Sequence, residues 1–82
     1  MKIKLKTALR LKQDLKELIE LTKVQASKNG SHLTEDHEIS MKQMHGAMRD
    51  IDRQLDKLEI ELNFETNYLE RYIFKALEVE NE

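Results

Sequence analysis

Residues 41–62 read MKQMHGAMRDIDRQLDKLEIEL, and the apolar residues of this stretch recur alternately three and four positions apart. Such spacing is typical of the seam along which one α-helix packs against another in a coiled coil. Because the spacing continues beyond this stretch, we predict one helix over about residues 35–79. Its seam positions are Met41, Met44, Met48, Ile51, Leu55, Leu58, Leu62, Glu65, Leu69, Tyr72, Ala76 and Val79.

Glu65 is the one charged residue among these seam positions. A charge in a seam can fix the register or the number of subunits by pairing with a cation of a partner chain, for example Arg71 or a lysine of the basic N-terminal end. Alternatively, the helix breaks near residues 63–67, or the seam continues there and Glu65 faces solvent. The sequence leaves both interpretations open.

A first helix is predicted over about residues 4–28, where the apolar residues again recur three or four positions apart. It ends at Lys28, because the following Asn29-Gly30 readily adopts the left-handed conformation that closes a helix. Thr34 can cap the next helix, so we predict a turn over residues 29–34. The fold class predicted is all-α, an antiparallel helical hairpin with a long second helix.

The two predicted helices differ in length, at roughly 35–40 Å and roughly 60 Å. The first helix cannot cover the second beyond about residue 63, and the uncovered part is rich in aromatic and aliphatic residues. Exposed apolar area of this kind marks an interface, so we predict that copies assemble here into a homo-oligomeric bundle. The predicted interface residues are Phe64, Tyr68, Leu69, Tyr72, Ile73, Phe74 and Leu77. Two alternatives stay open: a break at residues 63–67 that lets the tail fold back as a third helix, and an obligate complex with a different protein.

Length and composition limit the architecture further. A chain of 82 residues suits one small domain, and two Gly with no Pro argue against a sheet of many strands. The absence of Cys excludes disulfides and Cys-ligated zinc. With no apolar run long enough to cross a membrane, we expect a cytoplasmic protein.

The two ends of the chain carry opposite charge. Residues 1–16 hold six basic residues and one acidic residue, whereas residues 59–82 hold seven acidic residues and two basic ones. A nucleic-acid interface needs a dense basic patch, but here the lysines alternate with core-type apolar residues. We therefore expect the two ends either to neutralise each other or to form a solvated face, and we do not expect a nucleic-acid partner.

Candidate chemistry is sparse. Soft copper(I) ligands would be available on one side of the second helix, from His37, Met41, Met44, His45 and Met48. Packing in the seam already accounts for the methionines, so we predict no metal and no cofactor. The sequence contains no phosphate-binding glycine loop and no spacing suited to a catalytic triad. We predict that the chain is not an enzyme and has no catalytic residues.

Three segments carry a resemblance to a known family. Residues 5–15 (LKTALRLKQDL) resemble the first helix of septicolysin-like proteins, and residues 51–58 (IDRQLDKL) with 63–67 (NFETN) are similar to that family's second helix and its ending. The resemblance covers about half of the chain. It implies an oligomeric helical hairpin and says almost nothing about activity.

These observations favour a binding function. We expect a small regulator or inhibitor that engages another protein through a helical face and acts as a homo-oligomer. The small size and the Lys, Ile and Asn usage are typical of a phage accessory protein, such as a modulator of host or lysis proteins. Two alternatives stay open: a self-assembling scaffold, and a nucleotide-binding sponge that uses Arg10, Arg49, Arg53 or Arg71 between subunits.

Overall fold

The computed structural model describes residues 1–28, 35–63 and 69–80. The elements in chain order are β1 (Lys2–Lys4), α1 (Leu5–Lys28), α2 (Glu35–Arg53), β2 (Glu59–Glu61) and α3 (Glu70–Glu80). The fold is mostly helical, as predicted, and its two short strands form one antiparallel sheet.

Helix α1 is the centre of the fold and packs against both α2 and α3. Its three-to-four spacing gathers the apolar side chains into one stripe, as expected for an amphipathic helix. The buried residues of the stripe are Thr7, Ala8, Leu11, Leu15 and Ile19. The predicted bounds of this helix are confirmed within one residue at its start.

Helices α1 and α2 pack against each other, which is consistent with the predicted hairpin. Helix α2 begins at Glu35, as predicted, and Met41, Met44 and Ile51 are buried in the core that α1 also lines. An ion pair between Lys12 and Asp52 links the two helices on the surface. The predicted turn over residues 29–34 lies outside the described residues.

The sheet joins the basic start of the chain to the acidic segment near residue 60. Lys2 lies opposite Glu61, Ile3 opposite Ile60 and Lys4 opposite Glu59. Side chains alternate between the faces of a strand, so the two buried isoleucines face the core while lysines and glutamates meet across the outer face. Residues of opposite charge from the two ends therefore lie side by side in this strand pair, and the Met1 ammonium group forms an ion pair with Glu61 at 3.2 Å.

The prediction that the second helix continues to residue 79 is wrong. Helix α2 ends at Arg53, and two tight turns follow, closed by hydrogen bonds from Gln54 N to Ile51 O (3.1 Å) and from Lys57 N to Gln54 O (2.9 Å). A continuous helix would carry the later apolar residues away from α1. The turns instead return Ile60 to the core, where its side chain is fully buried.

The prediction of one continuous seam fails for the same reason. Leu55 and Leu58 lie in the turn region and are 47% and 87% exposed, whereas Leu62 is buried just after β2. The unbroken spacing in the sequence thus combines the stripes of α2 and α3 with two residues of the turn region and with Leu62, which follows β2. Glu65 lies outside the described residues.

The end of the chain folds back as a third helix, which was the alternative to the long overhang. The break begins at residue 54, earlier than the predicted residues 63–67, most of which lie outside the described residues. Leu69, Ile73 and Ala76 are buried in the same core cluster as the stripe of α1. Among the described helices, none is long and apolar enough to cross a membrane.

Candidate protein-binding surfaces

Four leucines, two at the start of α1 and two in the turn after α2, lie on segments that a backbone hydrogen bond and an ion pair bring together, and we name this set the leucine corner. Its members are Leu5, Leu9, Leu55 and Leu58. Leu5 is partly buried, Leu9 and Leu55 are about half exposed, and Leu58 is 87% exposed. Large apolar side chains exposed together in this way are typical of a binding surface.

Two contacts hold the leucine corner together. Lys12 pairs with Asp52, and Leu5 N donates a hydrogen bond to Leu58 O at 2.8 Å. Residues 52–58 therefore run beside the first two turns of α1, a stretch of about 10 Å. Leu9 lies one turn after Leu5 on the same flank of the helix, and Leu55 lies between the two contacts on the opposing segment.

Charged residues of opposite sign border the two sides of the leucine corner. Residues 5–12 of α1 hold three basic residues and no acidic one, a net charge of +3. Residues 52–59 hold three acidic and two basic residues, a net charge of −1. The surface thus has a basic side on α1 and an acidic side on the turn.

Gln54 fixes the turn that presents Leu55 and Leu58. Its Nε2 donates to Glu61 O at 2.7 Å and to Asp50 O at 3.1 Å, and its Oε1 accepts a hydrogen bond from Glu61 N at 2.8 Å. The primary amide therefore acts like a peptide group of a neighbouring strand. It covers the outer edge of β2 at Glu61, where a bare edge would invite another strand.

A second surface is the groove between α1 and α3. It has a volume of about 260 Å³ and is lined by Asp14, Glu17, Leu18, Leu21, Tyr72 and Lys75. The wall from α1 is acidic and apolar, and the wall from α3 supplies one aromatic ring and one cation. Leu21 is 54% exposed, so apolar surface is open to solvent in this groove.

The predicted interface residues are not gathered on one surface. Leu69 and Ile73 are 1% and 2% exposed, so placing them at an interface between copies was wrong, because they pack in the core of the chain itself. Tyr72 and Leu77 are partly buried, and Tyr72 lines the groove. Phe74 is 52% exposed. The remaining two predicted residues, Phe64 and Tyr68, lie outside the described residues.

The other candidate side chains are dispersed. The methionines Met41 and Met44 belong to the core, while His37 and His45 are exposed on α2. Within the three described ranges, no group of three His, Asp or Glu side chains is placed to hold a metal ion. The arginines considered for nucleotide binding are all exposed and belong to three different helices, namely Arg10, Arg49, Arg53 and Arg71.

No protein-family model, no curated protein and no solved structure matches this chain.

The leucine corner was missed in the sequence because Leu55 and Leu58 fit the seam spacing. The signal that could have revealed it is the pair of segments Lys2-Ile3-Lys4 and Glu59-Ile60-Glu61. Both alternate polar and apolar residues, and their charges are complementary, which favours a pair of strands over a continuous helix.

Proposed function

We propose that this chain is a non-enzymatic protein-binding protein, a regulator or inhibitor of a partner, and that it acts as a homodimer joined through the leucine corner. The observation that supports this function most strongly is the exposure of Leu58. A leucine that is 87% exposed, beside three further partly exposed leucines, has unfavourable contact with water. The hydrogen bonds of Gln54 and Leu5 hold the backbone on both sides of Leu58 in place.

Charge favours a second copy as the occupant of the leucine corner. A two-fold axis through the corner would place the basic side of one copy, with Lys6 and Arg10, against the acidic side of the other, with Asp56 and Glu59. The same patch would then serve on both subunits. Complementary charges of this kind set the orientation of partners and exclude others.

The size of the leucine corner predicts a weak dimer. The exposed leucine area is about 300–400 Å² per copy, which is typical of the largest apolar patch on a small protein. A standard stable interface buries about 800 Å² per partner. The charged residues around the leucines must supply the remaining buried area, so we expect a dissociation constant in the micromolar range.

Molar mass in solution tests this function, measured by light scattering over about a hundredfold range of concentration. We expect the mass to rise from 9.7 kDa towards twice that value, and Leu58→Ser to remain at 9.7 kDa. Phe74→Ser is the matched control, because Phe74 is also exposed but lies on α3. It should associate like the unmodified chain.

A constant mass of 9.7 kDa for the unmodified chain would contradict self-association. Association that persists in Leu58→Ser but is lost in Phe74→Ser would place the interface on α3 instead. Circular dichroism of both variants should show unchanged helix content, because both side chains lie on the surface.

A further inference from the structure

We infer that the groove between α1 and α3 binds an apolar segment of a partner protein that carries an arginine. This inference deepens the proposed protein-binding function by naming the chemistry of the partner. The groove shares no residue with the leucine corner, so binding in the groove and self-association can be measured separately.

The size of the groove favours a docked segment over an enclosed small molecule. Pockets for small ligands are about 300–1,000 Å³ and bury most of the ligand, whereas this groove has about 260 Å³. Leu18 and Tyr72 are partly buried in its lining, and Leu21 is half exposed. This apolar lining has room for one or two side chains of a partner.

The acidic wall supplies a site for a guanidinium group. Asp14 and Glu17 are three residues apart on α1, so their carboxylates are neighbours on the helix surface. Glu17 accepts a hydrogen bond from Gln13 Nε2 at 3.1 Å, and within the described part of the chain neither carboxylate forms an ion pair. Arginine suits this wall because its planar group donates to carboxylates and stacks on aromatic rings such as that of Tyr72.

Lys75 makes the choice between a cationic and an anionic segment testable. Among the described residues of the lining it is the single cation, beside two carboxylates, so these residues have a net charge of −1. An arginine is attracted by the α1 wall and repelled by Lys75. An acidic segment would be repelled by the α1 wall and attracted by Lys75. Neutralising the carboxylates of the α1 wall, or Lys75 on the α3 wall, therefore distinguishes an arginine-bearing segment from an acidic one.

The test measures fluorescence anisotropy with a labelled peptide of about 14 residues, or roughly four helical turns, that has leucines on one face and arginines beside them. We expect micromolar binding at low salt. The double variant Asp14→Asn with Glu17→Gln should weaken binding by about fivefold or more, and Lys75→Ala should tighten it by about twofold. Glu20→Gln is the matched control, because Glu20 is exposed on α1 and does not line the groove.

The apolar contact has its own pair of variants. Leu21→Ser should weaken binding of the arginine peptide, whereas Val24→Ser, a change of similar exposure outside the groove lining, should leave it unchanged. A peptide with serines in place of its leucines should bind more weakly than the original.

Three results would overturn the inference. The first is tighter binding of a matched peptide that has glutamates in place of the arginines. The second is weaker binding of the arginine peptide to Lys75→Ala than to the unmodified chain. The third is an equal change in affinity for the groove variants and for Glu20→Gln. Any of these in a chain that still dimerises would leave the leucine corner unaffected. Conversely, groove-dependent peptide binding by a chain that stays monomeric would contradict the dimer alone.

Discussion

Replacing Gln54 should destabilise the fold far more than replacing another glutamine. The Gln54 amide makes three hydrogen bonds to main-chain atoms, two with Glu61 and one with Asp50, all in part-buried surroundings. In Gln54→Ala, the N–H and C=O groups of Glu61 lose this partner. Solvent can replace only part of the loss, because the site is partly shielded.

The expected magnitude follows from these three bonds. A typical intramolecular hydrogen bond contributes about 0.5–1.5 kcal/mol net, and partial access of water lowers the sum. We expect Gln54→Ala to reduce the free energy of unfolding by about 2 kcal/mol. For a domain of this size, that corresponds to a drop in Tm of roughly 8–16 °C.

Urea denaturation and thermal melts at one protein concentration measure the effect. Gln54→Met is a second variant that keeps most of the volume without the amide, so it should lose nearly as much as Gln54→Ala. Gln13→Ala is the control, because Gln13 is exposed on α1 and its side-chain amide donates to the side chain of Glu17. It should change stability by no more than about 0.5 kcal/mol. Equal stability of Gln54→Ala and Gln13→Ala would refute this role of Gln54.

Two further predictions concern the strand pair and the surface ion pair. Ile60→Ala removes a fully buried side chain and should lower the free energy of unfolding by about 2–5 kcal/mol in urea denaturation. Leu58→Ala, measured in dilute solution, should lower it by less than about 0.5 kcal/mol. Similar losses for the two variants would contradict the burial of Ile60 and the exposure of Leu58. A double-mutant cycle on Lys12 and Asp52 should give a coupling below about 1 kcal/mol that shrinks in salt, because their side chains are 32% and 49% exposed. A larger coupling that salt does not change would show a shielded pair.

The parts of the fold that depend on local spacing were predictable. Helix α1 has its own apolar stripe from Ala8 to Ile19, and its end at Lys28 is marked by the residues that follow. The start of α2 at Glu35 is similarly marked by acidic residues in its first turn. Each of these features is set by residues within a few turns of one another.

The end of α2 was not predictable from local spacing, because it depends on contacts between distant residues. Ile3 and Ile60 are 57 positions apart, yet their pairing turns the chain away from α2. Leu55 and Leu58 satisfy the helical spacing equally well, so periodicity cannot distinguish a seam from a turn that exposes them. Tertiary packing decides between the two.

Both candidate surfaces exist because α2 ends at Arg53 and the chain then turns back. A long helix would have made the aromatic tail the interface, but the return of Leu69 and Ile73 to α1 buries that stripe. It also creates the groove, since Tyr72 and Lys75 are brought beside Leu18 and Leu21. Only Phe74, among the predicted interface residues whose side chains are described, is more than half exposed.

The most direct test of the whole account is nuclear magnetic resonance of the strand pair, because both surfaces depend on it. Lys2 with Glu61 and Lys4 with Glu59 are the non-hydrogen-bonded pairs of the ladder, so their Cα atoms lie about 4.5 Å apart. We predict cross-strand Overhauser contacts between the Hα atoms of both pairs and extended chemical shifts over residues 59–61. Helical shifts that run without interruption from residue 50 to residue 63, with no such contacts, would contradict the account.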